Sequence, residues 1–497
     1  MNAFSRIFLS LCTALLFACC SAPVSRVDSL PPIWPDYTDV TIPAGIAPMD
    51  FDIILDGAKQ VYVLVEGGKG GSLKVRGREG TRFPIRRWHA LTERNTGSDL
   101  NFTVAVKTSE GWLQYNDFKM HVSPYPLEDY GLVYRKFAPG YETTSRVGNY
   151  QRNIHNFHEE AIIENTAVPG QCIGCHSSNQ ADPASFTFHL RGSKGCTLIQ
   201  QDGKRDWVVT KTDSTISNAV YSHWHPSGKF CAFSTNKISQ LFWTGMHSYI
   251  EVYDSMSDIV VLDTKNYSLL HSPLLQTKDF ETYPAFSADG RTLYYCSAKE
   301  RKMPDQANLL RYDLCSISFD PAQRSFGSSV DTLINADAVG KSVTFPRPSF
   351  DGRFLMFTLA DFGNFPINHP EADLWLMDLR SGGLRPIKEV NSPDTESFHN
   401  WSSGSHWFLF TSRRDNRLYS NIYISCIDDS GHATKPFIVP QRHPRKFYTE
   451  TLKTYNVPEW TKHKIEFDAI AAAREVYSGE RIHATETDGT TGASITK

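Results

Sequence analysis

The chain is predicted to be all-β, with an N-terminal β-sandwich-like domain followed by a β-propeller. Three observations predict it. Four segments repeat one frame at intervals of 53–62 residues, and short strand-like runs between Gly-rich turns fill the front of the chain. Between them lies a stretch of low periodicity that contains the sequence Cys172-Ile173-Gly174-Cys175-His176.

The first residues read as a secretory signal. Arg6 precedes an apolar run from Ile7 to Ala18 and then Cys19-Cys20, an h-region too short to span a bilayer. Leu16-Phe17-Ala18-Cys19 resembles a bacterial lipobox, with Phe17 bulkier than that motif usually carries. The expectation is a signal peptide over 1–18, a lipid-modified Cys19 and a tether over 19–35, or an ordinary signal peptide cut nearby. No later run has the length of a membrane span, so the membrane is reached through the anchor only.

Composition sets bounds. A chain of 497 residues is expected to hold two or three domains. A formal net charge of −3 and the lack of an Arg-rich run argue against nucleic acid as a partner. Cys196, Cys231, Cys296, Cys315 and Cys426 each fall in or beside a β-like run at irregular spacing. They read as buried single thiols rather than a disulfide framework.

Residues 36–126 make the sandwich-like domain. Val61–Val65, Ser72–Val75, Asn101–Val106 and Trp112–Tyr115 read as its strands. Residues 127–190 are expected to be a connector. Its C-x-x-C-H is the attachment sequence of a c-type haem, because two thiols at this spacing can each add to a vinyl group while the histidine ligates iron. Cys172, Cys175 and His176 are therefore the candidate haem c site, with His176 as axial metal ligand. The same residues also suit a redox C-x-x-C or half of a zinc site. His189, flanked by Phe186 and Phe188, is the first candidate for the second ligand, and Arg191 could pair with a propionate.

Residues 191–440 carry the repeat. Its copies open at Tyr221-Ser222-His223-Trp224, Tyr283-Pro284-Ala285-Phe286, Phe345-Pro346-Arg347-Pro348 and Phe398-His399-Asn400-Trp401. Each continues into an Asp/Ser-Gly turn and an apolar strand, with the Gly one position early in the fourth copy. Further strand-like runs such as Asp258–Asp263 and Asp373–Asp378 complete four-stranded blades.

This frame resembles the WD40-like repeats of TolB-type β-propellers. That resemblance implies six blades, although only four copies are clear and Phe286 and Pro348 stand where the pattern has Trp. Gly195–Val209 is a candidate for a missing blade. Lipobox, C-x-x-C-H and repeats together resemble a group of Gram-negative envelope lipoproteins described as TolB-like or cytochrome-c-like. After 440 a tail follows, with a helix over Phe467–Tyr477 and a disordered end.

The leading expectation is a lipid-anchored, periplasm-facing haem c protein for electron transfer or ligand and redox sensing. Its partner would be a redox or other envelope protein, with the propeller as docking platform. The alternative is a non-haem scaffold that binds a protein, peptide or glycan at the propeller. No G-x-S-x-G occurs, so no hydrolase nucleophile is expected and catalytic residues are not assigned.

Overall fold

The computed structural model describes residues 24–138, 146–243 and 249–490. It is an all-β structure built on a six-bladed propeller. Blade 3 comprises Val220–Trp224, Phe230–Trp243, Tyr249–Asp263 and Ser268–His271. Blade 4 runs from Phe280 to Ile334, blade 5 from Ser342 to Pro386 and blade 6 from Glu396 to Ile438, each an antiparallel four-stranded sheet. Blade 2 is Gln171–Asn179, Asp182–Gly192, Cys196–Gln201 and Lys204–Val209.

Blade 1 is assembled from distant parts of the chain. Gly131–Phe137, Gly148–Asn153 and Glu159–Glu164 supply three strands, and Thr454–Thr461 supplies the innermost. The six innermost strands touch in cyclic order, with Thr454–Thr461 closing against Gln171–Asn179.

The segment 127–190 is therefore not an irregular connector. It contains three strands of blade 1 and the inner two of blade 2. Apolar alternation failed to reveal them because Gly148–Asn153 buries polar side chains that the fold satisfies. Asn149 donates to the Gly174 carbonyl at 3.2 Å, Gln151 to the Ile465 carbonyl at 2.8 Å, and Arg152 to the Pro440 carbonyl.

All six innermost strands skip one residue in register at the same place. In five of them the bulged residue is left-handed: Tyr221, Tyr283, Phe345, Phe398 and Val457 have φ between 43° and 53°. That conformation costs a non-glycine residue about 1–2 kcal/mol. Packing offsets it, because the four aromatic rings contact one another in sequence with centroids 4.7, 4.1 and 4.7 Å apart. Blade 2 places Gly174 there. Gly174-Cys175-His176-Ser177 and Val457-Pro458-Glu459-Trp460 are thus the two remaining copies of the repeat frame.

The turn after each inner strand is held by side chains. Ser287 donates to Asp289 at 2.6 Å, Asp289 accepts from the Arg291 amide, and Gly290 takes a φ of 72°. Ser349, Asp351 and Gly352 repeat this in blade 5. In blade 6, where Gly404 comes early, Ser405 takes the left-handed position with a φ of 60°. The frame's tryptophans stitch blades together, Trp224 donating to the Ser177 carbonyl at 3.1 Å and Trp401 to the Arg347 carbonyl at 2.9 Å.

The N-terminal unit has a seven-stranded mixed sheet centred on Gln60–Gly67 and Ser98–Lys107, with a two-stranded sheet beside it. It also has a helix over Ile85–Arg94 that the strand patterns did not suggest; Trp88 and Leu91 bury its one apolar face. Its core is continuous with that of blades 5 and 6. At the other end, Asp468 caps a helix over Ala469–Ser478 through the Ile470 and Ala471 amides. Beyond it, Ile482–His483 and Thr485–Asp488 add parallel edge strands to blades 2 and 3. Among the described residues no helix is long and apolar enough to cross a membrane.

Candidate ligand chamber in the propeller channel

The third position of the repeat frame is held by His176, His223, Ala285, Arg347, Asn400 and Glu459. Four of these six can carry charge, at positions a closed ring of inner strands brings together. The ring of bulged side chains is incomplete at Gly174, and there a chamber of about 50 Å³ opens. Its walls include Tyr221, Phe345, Val457, His176, Arg347 and Glu459. Gly174 is required: a Cβ there would lie 2.9 Å from the His189 carbonyl oxygen.

His176 is fully engaged. Its ring is 2% exposed; Nδ1 donates to Glu459 Oε2 at 3.1 Å and Nε2 accepts from Ser178 Oγ at 3.3 Å. Glu459 Oε2 also accepts from the Ser178 amide at 3.1 Å. The order Glu459–His176–Ser178 resembles an acid–base–nucleophile relay. Ser178, however, occupies the turn-capping position of Ser287 and Ser349, and the chamber wall is formed by Ser177 instead.

These contacts correct the expectation of haem c. An axial ligand needs a nitrogen lone pair and a slot for the macrocycle. Both His176 nitrogens are already bonded within the protein, and the adjoining space is a small fraction of the roughly 300–1,000 Å³ of a pocket for a drug-sized ligand, and a macrocycle needs at least as much. Among the described residues no group of three or more His, Cys, Asp or Glu side chains could hold a metal ion. C-x-x-C-H is here the innermost strand of a propeller blade. Its cysteine spacing coincides with the repeat frame.

Arg347 is the least satisfied charge in the channel. It is 8% exposed, and its hydrogen bond among the described residues runs from Nη1 to the Pro346 carbonyl at 2.9 Å. Burial lowers its pKa, while the field of Glu459 works in the opposite direction. Its Cζ lies 5.9 Å from the centre of the Phe345 ring. The histidines around it are neutral: burial, followed by the charge of Arg347, holds His223 and His399 down at about 3.

His189 lies at the chamber's exit. Burial, then Arg191, pushes it down to about 3, and its Nδ1 has no hydrogen-bond partner. From there a groove of about 320 Å³ leads outward between blades 2 and 3, past Arg191, Asn218, Asn236 and Ile238. His189, Arg191 and Val220 border both spaces, so the groove lies directly beside the chamber.

Blade 3 extends beyond its neighbours at this end. Its middle strands are 14 and 15 residues long, against 11 and six in blade 2 and seven and eight in blade 4. The extra length meets the blade 5 connection beyond Ala360. His369 lies between Glu251 Oε2 and Glu371 Oε1, each at 3.0 Å. Asp254 Oδ2 accepts from Asn236 at 2.8 Å and from Asn364 at 2.6 Å. Phe365, in the same connection, contacts the rings of Tyr221 and Tyr283.

No protein-family model and no curated protein matches the chain. Solved structures resemble it in fold. A puromycin-hydrolysing peptidase of Mycobacterium tuberculosis is 11% identical, with 81% of this chain and 57% of that one covered at a TM-score of 0.32. An oligogalacturonate lyase in complex with manganese is 12% identical, covering 76% and 99% at 0.32. The periplasmic gluconolactonase of Pseudomonas aeruginosa is 11% identical, covering 62% and 96% at 0.29. This chain spans little more than half of the peptidase. At such scores the comparisons carry no argument about activity, and the propeller rests on the sheet topology.

Of the residues singled out from sequence, His176 and His189 both border the chamber, for a reason unrelated to iron. Cys172 is a half-buried free thiol whose Sγ lies 3.5 Å from Arg135 Nη2. Cys19 lies outside the described residues, as does the Cys175 side chain. Cys196, Cys231, Cys296, Cys315 and Cys426 are buried and free. Sequence reasoning missed Arg347 and Glu459. The signal was present, since Arg347 holds the third frame position in a recognised copy, and Val457-Pro458-Glu459-Trp460 is a copy beyond residue 440, where the propeller was expected to end.

Proposed function

We infer that the protein is a β-propeller binding scaffold of the cell envelope that seats an anionic group in its channel chamber. The observation that carries this reading is Arg347, a buried guanidinium bordering the chamber whose hydrogen-bond acceptor among the described residues is a single carbonyl. An unpaired buried cation is expensive, and a ligand anion would supply the bidentate partner the fold does not. Glu459 in the same wall keeps the chamber's formal charge near zero, which favours a monoanion such as a carboxylate over a dianionic phosphate. The envelope setting is supported by Leu16-Phe17-Ala18-Cys19, and a lipid anchor there would hold the propeller near envelope protein partners. The resemblance of the repeat frame to TolB-type propellers is a fold-level analogy for docking, and the reading rests on the chamber.

Thermal unfolding at low ionic strength tests it, with acetate and inorganic phosphate as probes. Acetate is expected to raise the melting temperature of the wild type more than phosphate, and to leave Arg347→Gln unmoved. Equal responses from the two proteins would overturn the reading.

A further inference from the structure

The chamber is small, and on the His189 side it shares His189, Arg191 and Val220 with a larger groove. About 50 Å³ accommodates one terminal group, whereas the adjoining groove offers about 320 Å³ and opens at the surface. The matching shape is a chain end, with its tip in the chamber and its body in the groove. We propose that the ligand is a polypeptide C-terminus, inserted carboxylate first between blades 2 and 3. This deepens the anion-binding reading above and rests on it.

Each part of the passage suits that chemistry. Arg347 offers a planar fork at the inner end, the geometry that pairs with one carboxylate. Phe345, Tyr221 and Val457 give the last side chain an apolar wall. His189 is 9% exposed, neutral and unpartnered at Nδ1, and it stands where the first peptide group behind the carboxylate would pass. Farther out the groove is lined by Ser217, Asn218 and Asn236 beside the apolar Leu190, Val220 and Ile238. Amide and hydroxyl groups alternating with aliphatic surface complement an extended backbone. The Tyr221 and Phe345 rings, which could stack on a sugar face, lie in the chamber rather than in the groove.

Calorimetric titration of the full-length protein distinguishes the outcomes. The probes are the N-acetylated pentapeptides Ac-AAAAA and Ac-AAAAV as free acids, the same peptides as C-terminal amides, and a galacturonate trimer. The free acids are expected to bind at least tenfold tighter than the amides. Ile238→Trp, which narrows the groove, should weaken the pentapeptides and leave the acetate response intact. Ile238 lines the groove and not the chamber, and the variant leaves Arg347 in place. If acids and amides bind alike, or the uronate trimer binds and the peptides do not, the peptide assignment is overturned. If acetate stabilises the wild type but no pentapeptide binds, the C-terminus proposal fails while anion binding stands. Should Arg347→Gln not fold, Arg347→Lys serves: it keeps the charge, loses the fork, and is expected to lose the acid-over-amide preference.

Discussion

His176 and Glu459 lie 283 residues apart in the chain and meet at 3.1 Å. One is on the innermost strand of blade 2 and the other on the strand that completes blade 1. Their contact therefore fastens the ring where it closes and also forms part of the chamber wall. The Ser178 amide, donating to the same Glu459 oxygen, adds a second bond to the joint.

Removing that carboxylate should loosen the ring. Glu459→Ala leaves His176 Nδ1 and the Ser178 amide without their acceptor, a loss of about 1–3 kcal/mol. Urea denaturation followed by tryptophan fluorescence is expected to show a lower midpoint. A change below about 0.5 kcal/mol would mean the joint contributes nothing to stability.

The correction concerning haem has its own test. Exported with its own signal in a host that matures c-type cytochromes, the protein is expected to carry no haem mass and no reduced α-band. A one-haem mass gain that disappears in Cys172→Ser would sink the reading of C-x-x-C-H as a blade strand.

The tie between blades 3 and 5 should make stability depend on pH. Burial alone would lower the pKa of His369, but its bonds to Glu251 and Glu371 outweigh this and raise it to about 9. A pKa raised above the ordinary 6.5 means stabilisation that is complete below about pH 6.5 and is lost as the pH rises through about 9. Glu371 is also buried, yet His369 holds it down at about 2, so its contribution is present above pH 4.5 and is lost towards pH 2. Burial raises Asp254 to about 7, against the pull of Asn236 and Asn364, so its contribution is also lost as the pH rises, from about 4 through about 7. The difference between wild type and His369→Gln removes that background. It is expected to be largest, at most ~3 kcal/mol, between pH 4.5 and 6.5, and to vanish by pH 10. A difference that stays flat from pH 5 to 10 would contradict the charged triad.

The C-terminal strap should protect two blade edges. Deleting residues 480–497 removes the parallel partners of Lys204–Val209 and Ser268–His271. Hydrogen exchange in those strands is expected to quicken at least tenfold, with Phe280–Phe286 unchanged. Uniform exchange across all blades would show that the strap acts globally.

Much of the propeller was readable along the chain, for a definite reason. Blades 3 to 6 use a strand, a side-chain-capped turn and an apolar strand, and each element is local enough to leave its signature at fixed spacing. The first two blades were obscured because their signals are broken. Blade 1 has its inner strand near the other end of the chain, and its strand Gly148–Asn153 buries polar groups whose acceptors come from distant segments. Blade 2 hid behind a cysteine–histidine pattern that also has a chemical meaning of its own.

The sequence by itself determined the all-β class, the repeat frame, its turns and the burial of five lone cysteines, because these depend on neighbours a few residues away. Only the tertiary structure decided the role of His176. Whether a histidine ligates iron or bonds a carboxylate depends on which atoms surround it, and those of Glu459 arrive from a strand 283 positions later. Closing the ring also created the chamber, since the gap at Gly174 becomes a cavity only when the inner strands of blades 1, 3 and 5 wall it in.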